Sequence, residues 1–225
     1  NKANQFSINY VTEDGSPFVI CKLQEQTVGL TTLRSPSGSG KTTLLQKFVN
    51  YLKENHSGTS EELGFVVSRG VASFPSSLVI GKVPQNPSIV KHWYVSSILP
   101  RESSFGEAAF LKDKWFDIYN RQIGELSGGQ QRRVYALSVL EQLIIEDAEQ
   151  AIIVMDETLD GLGSVGAGEF INRISKEWVR KSKSKSLHIL LVTHLSNIKT
   201  TVTESVSASL SIVDETQFKL TVLVS

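Results

Sequence analysis

The sequence predicts an α/β protein: a mostly parallel sheet flanked by helices, with an antiparallel β region at the N-terminus and a β-hairpin at the C-terminus. Three observations carry this. Two largely apolar runs, residues 151–155 and 188–192 (apolar after His188), end in Asp156-Glu157 and Thr193-His194, the pattern of parallel strands buried on both faces. Apolar residues recur at helical spacing before and between these runs, and alternation of strands with helices implies a parallel sheet. The two ends of the chain instead alternate at period two, as antiparallel strands with one buried face do.

Each element follows in order. Phe6, Ile8 and Tyr10 alternate, and Phe18-Val19-Ile20 follows the turn-like Glu13-Asp14-Gly15-Ser16-Pro17. Residues 28–33 form the next strand and run straight into Ser35-Pro36-Ser37-Gly38-Ser39-Gly40-Lys41-Thr42-Thr43, after which Leu44, Leu45, Phe48, Val49 and Leu52 recur as on a helix. Residues 63–67 and 78–83 read as strands. Residues 86–125 are mixed, with short helical patterns at 93–99 and 108–116. A long helix is expected over 128–145, with Val134, Leu137, Leu140 and Ile144 on one face, and another over 165–179. Segments 209–213 and 218–224 flank Asp214-Glu215-Thr216-Gln217, a hairpin signal. The Lys/Ser stretch at 180–186 is expected to be a solvated loop, and no internal repeat is evident.

Composition narrows the class. The chain has 225 residues, 23 basic and 23 acidic, one cysteine, 40% hydrophobic and 20% charged residues, as an ordinary globular protein does. Cys21 alone excludes an intrachain disulfide and a cysteine-based zinc cluster; it reads as a small core residue. A membrane-spanning helix needs about 20 apolar residues in a row, and the apolar runs here are strand-sized. Balanced charge gives no general attraction to nucleic acid or anionic lipid, so no nucleic-acid partner is expected. The polar start Asn1-Lys2-Ala3-Asn4-Gln5 predicts no secretory signal, and a start without Met leads us to expect an excised or processed piece.

Three motifs carry chemistry. A strand, the loop Gly38-Ser39-Gly40-Lys41-Thr42 and a helix follow one another. Glycines let backbone N–H groups close on a triphosphate; the Lys41 ammonium meets its outer oxygens and the Thr42 hydroxyl suits Mg²⁺. Ser35 stands where the full G-x-x-x-x-G-K-[ST] pattern has its first glycine, which costs roughly 1–2 kcal/mol if that position needs a positive φ. Second, the strand at 151–155 delivers Asp156 and Glu157 to its C-terminal edge, where open α/β sheets place ligands. Asp156 there suits the Mg²⁺ shell and Glu157 the polarisation of an attacking water; a strand ending in two solvated acids is the plain structural alternative. Third, Leu126-Ser127-Gly128-Gly129-Gln130 precedes Gln131-Arg132-Arg133 at a helix start. Its N–H groups and the helix dipole favour an anion, and Ser127 is a good N-cap whatever its function.

These three motifs, in this order, resemble the ATP-binding cassette (ABC) ATPases, and the resemblance covers nearly the whole chain. It implies a P-loop NTPase core with a short helical subdomain carrying the signature motif: one cassette over 1–225, with core and β region at 1–85 and 146–225 and the helical subdomain at about 86–145. It implies ATP and Mg²⁺ as ligands. Ser37, Gly38, Ser39, Gly40, Lys41, Thr42 and Thr43 would bind nucleotide, with Thr42, Gln85 and Asp156 on the metal. Val83-Pro84-Gln85-Asn86-Pro87 looks like the Q-loop, and Val192-Thr193-His194 like the switch histidine that contacts the γ-phosphate. Lys41, Gln85, Glu157 and His194 would then be catalytic. Tyr10, or the nearby Phe18, would stack on adenine. Ser127, Gly128, Gly129 and Gln130 would act in trans on the site of a second cassette, packed head to tail.

The chain departs from the family in places. Thr158 replaces the usual proline and Gly163 the aspartate closing the D-loop, for which Asp160 is a substitute at a different spacing. The segment between Gln85 and Ser127 is short for the family. The resemblance implies an ATPase that powers solute transport through a transmembrane permease partner, lying in the cytoplasm on the inner face of the membrane. The region 88–105, with Trp93 and Tyr94, is where coupling to that partner is expected. The alternatives are a non-transport ABC ATPase of the DNA-maintenance or translation type, and a nucleotide-dependent dimerisation switch with low turnover.

Overall fold

The computed structural model describes residues 6–11, 17–23, 27–34, 45–46, 49, 59–60, 65–69, 78–87, 91–110, 112–146, 149–182, 185–202, 204–212 and 218–222. Before residue 27, between 59 and 69 and after 203 this description covers backbone pairing alone. The phosphate loop, the side chains of Tyr10, Phe18 and Cys21, and the second of the lysines in the Lys/Ser stretch therefore lie outside the described residues.

In chain order the strands are β1 (Phe6–Val11), β2 (Pro17–Leu23), β3 (Val28–Arg34), β4 (Thr59–Ser60), β5 (Phe65–Arg69), β6 (Leu78–Val83), β7 (Gln150–Asp156), β8 (Ser186–Thr193), β9 (Glu204–Ile212) and β10 (Phe218–Val222). The helices are α1 (Ser104–Phe110), α2 (Lys112–Tyr119), α3 (Gly128–Ile145) and α4 (Gly163–Lys181). Leu45, Gln46 and Val49 are also helical, with Leu45 and Val49 buried, as the periodicity after the phosphate loop requires.

Two sheets form. The main sheet has the order β10-β9-β3-β8-β7-β6, and a four-stranded sheet has the order β2-β1-β5-β4. In the main sheet β9, β3, β8, β7 and β6 are parallel and β10 is antiparallel to β9. Every pair in the smaller sheet is antiparallel. The expected division into a parallel core and antiparallel ends is therefore present, with one refinement. The first hairpin strand begins at Glu204 rather than 209 and pairs with β3, so the hairpin extends the main sheet.

β7 and β8 are buried along their full length, which explains the apolar runs at 151–155 and 189–192; the buried His188 of β8 is 3.0 Å from Thr31 Oγ1. Their helices cover them: Val134, Leu137 and Leu140 on α3 and Phe170, Ile174 and Trp178 on α4 are buried, while Ile144 is half-buried. One hydrophobic cluster continues from Ile153 and Trp178 into Phe105, Trp115 and Ile123, so the helices between β6 and β7 share the sheet's core.

Three sequence expectations are corrected. The helix expected at 108–116 is two helices, α1 and α2, which fold back so that Trp115 lies along α1 and stacks on Phe110. The strand expected at 63–67 runs two residues later, because Phe65 and Val66 pair with β1 and β4. Within the Lys/Ser stretch, Arg180 and Lys181 belong to the last turn of α4 rather than to a solvated loop. Lys181 pairs with the buried Glu141 at 2.7 Å and sits 5.0 Å over the Phe105 ring. Its aliphatic stem can pack while its ammonium neutralises a carboxylate that burial would otherwise penalise.

After β8 the chain has no regular structure over residues 195–202 and lies against α4. A Cβ on Gly168 would fall 2.2 Å from the Lys199 carbonyl oxygen. Gly168→Ala is therefore expected to lower stability by about 1–3 kcal/mol through forced displacement of that backbone, measured as a shift of the denaturation midpoint.

Candidate functional site

Strand register brings the candidate residues to one edge. Arg34 of β3 pairs with Thr193 of β8, Val192 of β8 with Asp156 of β7, and Met155 of β7 with Val83 of β6. All four strands are parallel, so they end together. His194, Glu157 and Gln85 each lie one or two residues past that edge, and the chain leaves β3 toward the phosphate loop at the same edge. This is the crevice outside the carboxyl ends of the strands that open α/β sheets use for ligands.

Backbone geometry aims the acid. Asp156 is 1% exposed at the end of β7. Glu157 extends the ladder by one bond, its N–H donating to the Val192 oxygen at 2.9 Å. The chain then turns at φ 49°, a left-handed conformation that costs a non-glycine residue roughly 1–2 kcal/mol. Such an outlier points to a functional constraint. Here it turns the Glu157 carboxylate between two partners from distant segments. Gln85 Nε2 donates to Glu157 Oε2, and His194 Nε2 lies 2.8 Å from Glu157 Oε1. The structure thus brings together Gln85, Glu157 and His194, with Asp156 adjacent.

The signature segment forms a complete helix cap. Ser127 is the N-cap of α3: its Oγ accepts from the Gln130 N–H at 3.3 Å, and its own N–H donates to Gln130 Oε1 at 2.9 Å. A Cβ on Gly128 would meet nothing within 4 Å, so the glycine face of this helix start is open. Four residues after Gly129, Arg133 lies 5.3 Å from the Phe110 ring, and burial lowers its guanidinium pKa.

Three further residues, noted in the sequence without these roles, join the site. Arg132, on the first turns of α3, donates to the Glu157 carbonyl oxygen at 3.3 Å and so ties the signature helix to the acid's backbone. Thr193, fully buried, donates its hydroxyl to Asp160 Oδ1. Asp160 also accepts from the His194 N–H at 3.2 Å. Gly163, where the aspartate was expected, has φ 68° and ψ 172°, a region essentially restricted to glycine. A side chain at that position would be strained by about 1–3 kcal/mol although a Cβ would meet nothing within 4 Å, and the carboxylate of this turn is the one at 160.

The donor set fits a hard divalent cation. Asp156 and the amide oxygen of Gln85 are oxygen ligands of the type Mg²⁺ takes, and both stand at the strand edge. Such an edge, with a glycine-lysine-threonine loop leaving it, defines a nucleoside-triphosphate hydrolase of the parallel α/β class. No family model matches the chain. The chain is 30% identical over 218 residues to the energy-coupling factor transporter ATP-binding protein EcfA2 of Streptococcus sanguinis, covering 84% of this chain and 71% of that protein. It is 26% identical over 182 residues to the zinc uptake system ATP-binding protein ZurA of Listeria monocytogenes, covering 73% of this chain and 65% of that one. It thus spans about two thirds of the length of these relatives. A solved metal-chelate type ABC transporter in an inward-facing conformation shares the fold, with a TM-score of 0.51 at 15% identity over 99% of this chain and 84% of that one. The chain belongs to the ATP-binding cassette ATPases, and it binds and hydrolyses ATP.

Proposed function

We propose that this cassette hydrolyses Mg²⁺-ATP at the edge formed by β3, β8, β7 and β6, with Glu157 as general base. The observation that carries the assignment is the placement of Glu157 between Gln85 and His194. Ser37, Gly38, Ser39, Gly40, Lys41, Thr42 and Thr43 cradle the phosphates, and Tyr10 stacks on adenine. Asp156, Thr42 and Gln85 would hold Mg²⁺, which when bound would neutralise phosphate charge. Glu157 takes a proton from water as the water oxygen attacks the γ-phosphorus in line. The bond to the bridging oxygen breaks, leaving ADP and inorganic phosphate, and positioning and electrostatics do most of the work. His194, with its Nε2 2.8 Å from Glu157 Oε1, contacts the γ-phosphate.

Ser127, Gly128, Gly129 and Gln130 complete the site of a second cassette, head to tail; the open helix start supports this, since an N-terminus with exposed N–H groups suits a phosphate. The helical subdomain is the segment from about 86 to 145, and 1–85 with 146–225 is the core. The output is solute transport through a permease at the cytoplasmic face of a membrane. Among the described residues no helix is long and apolar enough to cross a membrane. Trp93 and Tyr94, 46% and 47% exposed shortly after Gln85, support a permease contact there, as exposed aromatics often mark interfaces.

Lys41→Ala tests the reading. It is expected to abolish ATP binding and nucleotide-dependent dimerisation, measured with a fluorescent ATP analogue and by sedimentation. Co-purification from membranes is expected to recover an integral membrane protein with the parent chain. Undiminished ATP binding by the variant would remove the phosphate-loop assignment.

A further inference from the structure

The segment that carries His194 has no ladder of its own, since residues 195–202 adopt no regular structure. Its polar groups must therefore find partners elsewhere. They find them on residues spaced by four along the start of α4 and the turn before it. Asp160 Oδ1 accepts from the Thr193 hydroxyl and Oδ2 from the His194 N–H at 3.2 Å. Ser164 Oγ donates to the Ser196 carbonyl oxygen. Gly168 lets the Lys199 carbonyl approach to a distance no side chain would allow. Asn172 Oδ1 accepts from the Thr201 N–H at 2.7 Å and from its hydroxyl at 3.2 Å. Positions 164, 168 and 172 share one face of α4, and Asp160 stands in the short turn that leads into it.

We propose that this stripe is the strap that sets His194, and that Asp160 is its positioning residue. The proposal rests on the reading of His194 as a γ-phosphate contact. The His194 side chain is 39% exposed, so packing alone does not orient its ring toward Glu157. Orientation comes from the backbone, and the backbone at 193–194 is clamped by both oxygens of one carboxylate. The Thr193 hydroxyl also accepts from the Leu195 N–H at 3.0 Å, so the clamp reaches across the histidine on both sides. Asp160 follows Glu157 by three residues in the same turn, so base and histidine are referenced to one short piece of backbone.

The test is a double-mutant cycle on the purified chain, reading phosphate release against Mg²⁺-ATP concentration, with nucleotide affinity read separately by a fluorescent ATP analogue. Asp160→Ala is expected to lower kcat by about tenfold to a hundredfold, the range that follows from misplacing a catalytic group, while nucleotide affinity stays near that of the parent. Asp160→Asn, which keeps one acceptor oxygen, is expected to fall between. Combined with His194→Ala, Asp160→Ala should cost nothing further, because its effect passes through the histidine. Thr193→Val keeps the strand shape and removes one arm of the clamp, so it repeats the test where Asp160→Ala folds poorly. Asn172→Ala, at the far end of the stripe, should lower the denaturation midpoint and lower kcat by less than Asp160→Ala does. If His194→Ala leaves kcat unchanged, the reading of His194 falls and the positioning role with it. If His194→Ala is impaired while Asp160→Ala and Thr193→Val are not, or if the losses add, the positioning role alone is overturned.

Discussion

Glu157→Gln is expected to bind Mg²⁺-ATP as the parent chain does and to release phosphate more slowly by roughly 10²–10⁴-fold, the contribution of a positioned general base. The substitution keeps the shape of the side chain. Its amide oxygen can still accept from Gln85 Nε2, and its amide nitrogen can still meet His194 Nε2, so the constellation seen around Glu157 survives. What is lost is the ability to take a proton from water. The strained backbone at φ 49° is unaffected by the change, which separates chemistry from folding. Phosphate release and nucleotide affinity measured on the same preparation decide the matter. Equal turnover would remove Glu157 as the base, and a matching loss of affinity would mean that the residue shapes the nucleotide site instead.

Trp115→Ala is expected to destabilise the protein by about 3–5 kcal/mol, the range for deleting a large buried aromatic. Trp115 is fully buried. Its ring stacks on Phe110 with centroids 6.1 Å apart and lies tilted against Tyr119 at 5.7 Å. Its indole N–H donates to the Arg101 carbonyl oxygen at 3.1 Å, so the deletion also leaves an acceptor to be resolvated. A loss this large is a substantial part of a typical folding stability of about 5–15 kcal/mol. Trp115→Phe, which keeps an aromatic plane against Phe110, should lose considerably less. Chemical denaturation followed by tryptophan fluorescence and by far-UV circular dichroism gives both numbers. A change within about 0.5 kcal/mol, as at surface positions, would show that α1 and α2 do not depend on this ring. Because the same cluster runs on into Leu137 of α3, the Trp115 variant should also loosen the helix that Ser127 caps.

Much of the architecture was legible in the sequence because it is encoded locally. Ala151 to Met155 is apolar without interruption since β7 is buried on both faces, and α3 begins at Gly128 because Ser127 and Gln130 close a capping box there. Helix α4 and strand β6 are where the periodicity places them. Less was legible where the chain turns twice within a short span. Residues 108–116 read as one helical pattern, and only the fold-back of Trp115 onto α1 shows two helices there.

The candidate site divides along the same line. Gln85, Asp156, Glu157, Ser127 and His194 stand out by motif, as does the phosphate loop. The bonds among them do not: Gln85 meets Glu157 across 72 residues and His194 meets it across 37. Arg132 reaches the Glu157 carbonyl from 25 residues away, and nothing in its immediate neighbours announces that role.

Sequence alone determined the class of fold, the order of the nucleotide motifs and the residue types available for phosphate and magnesium. These follow from periodicity and from short-range spacing, which a chain carries whatever its tertiary arrangement. Only the tertiary structure decided which of those residues meet, that Gly163 holds a backbone conformation glycine favours, and that Asp160 bonds to the histidine strand. Such facts depend on the parallel register of β3, β8, β7 and β6 and on one left-handed residue at Glu157. Register is a property of strands paired across the fold, so no window of sequence contains it.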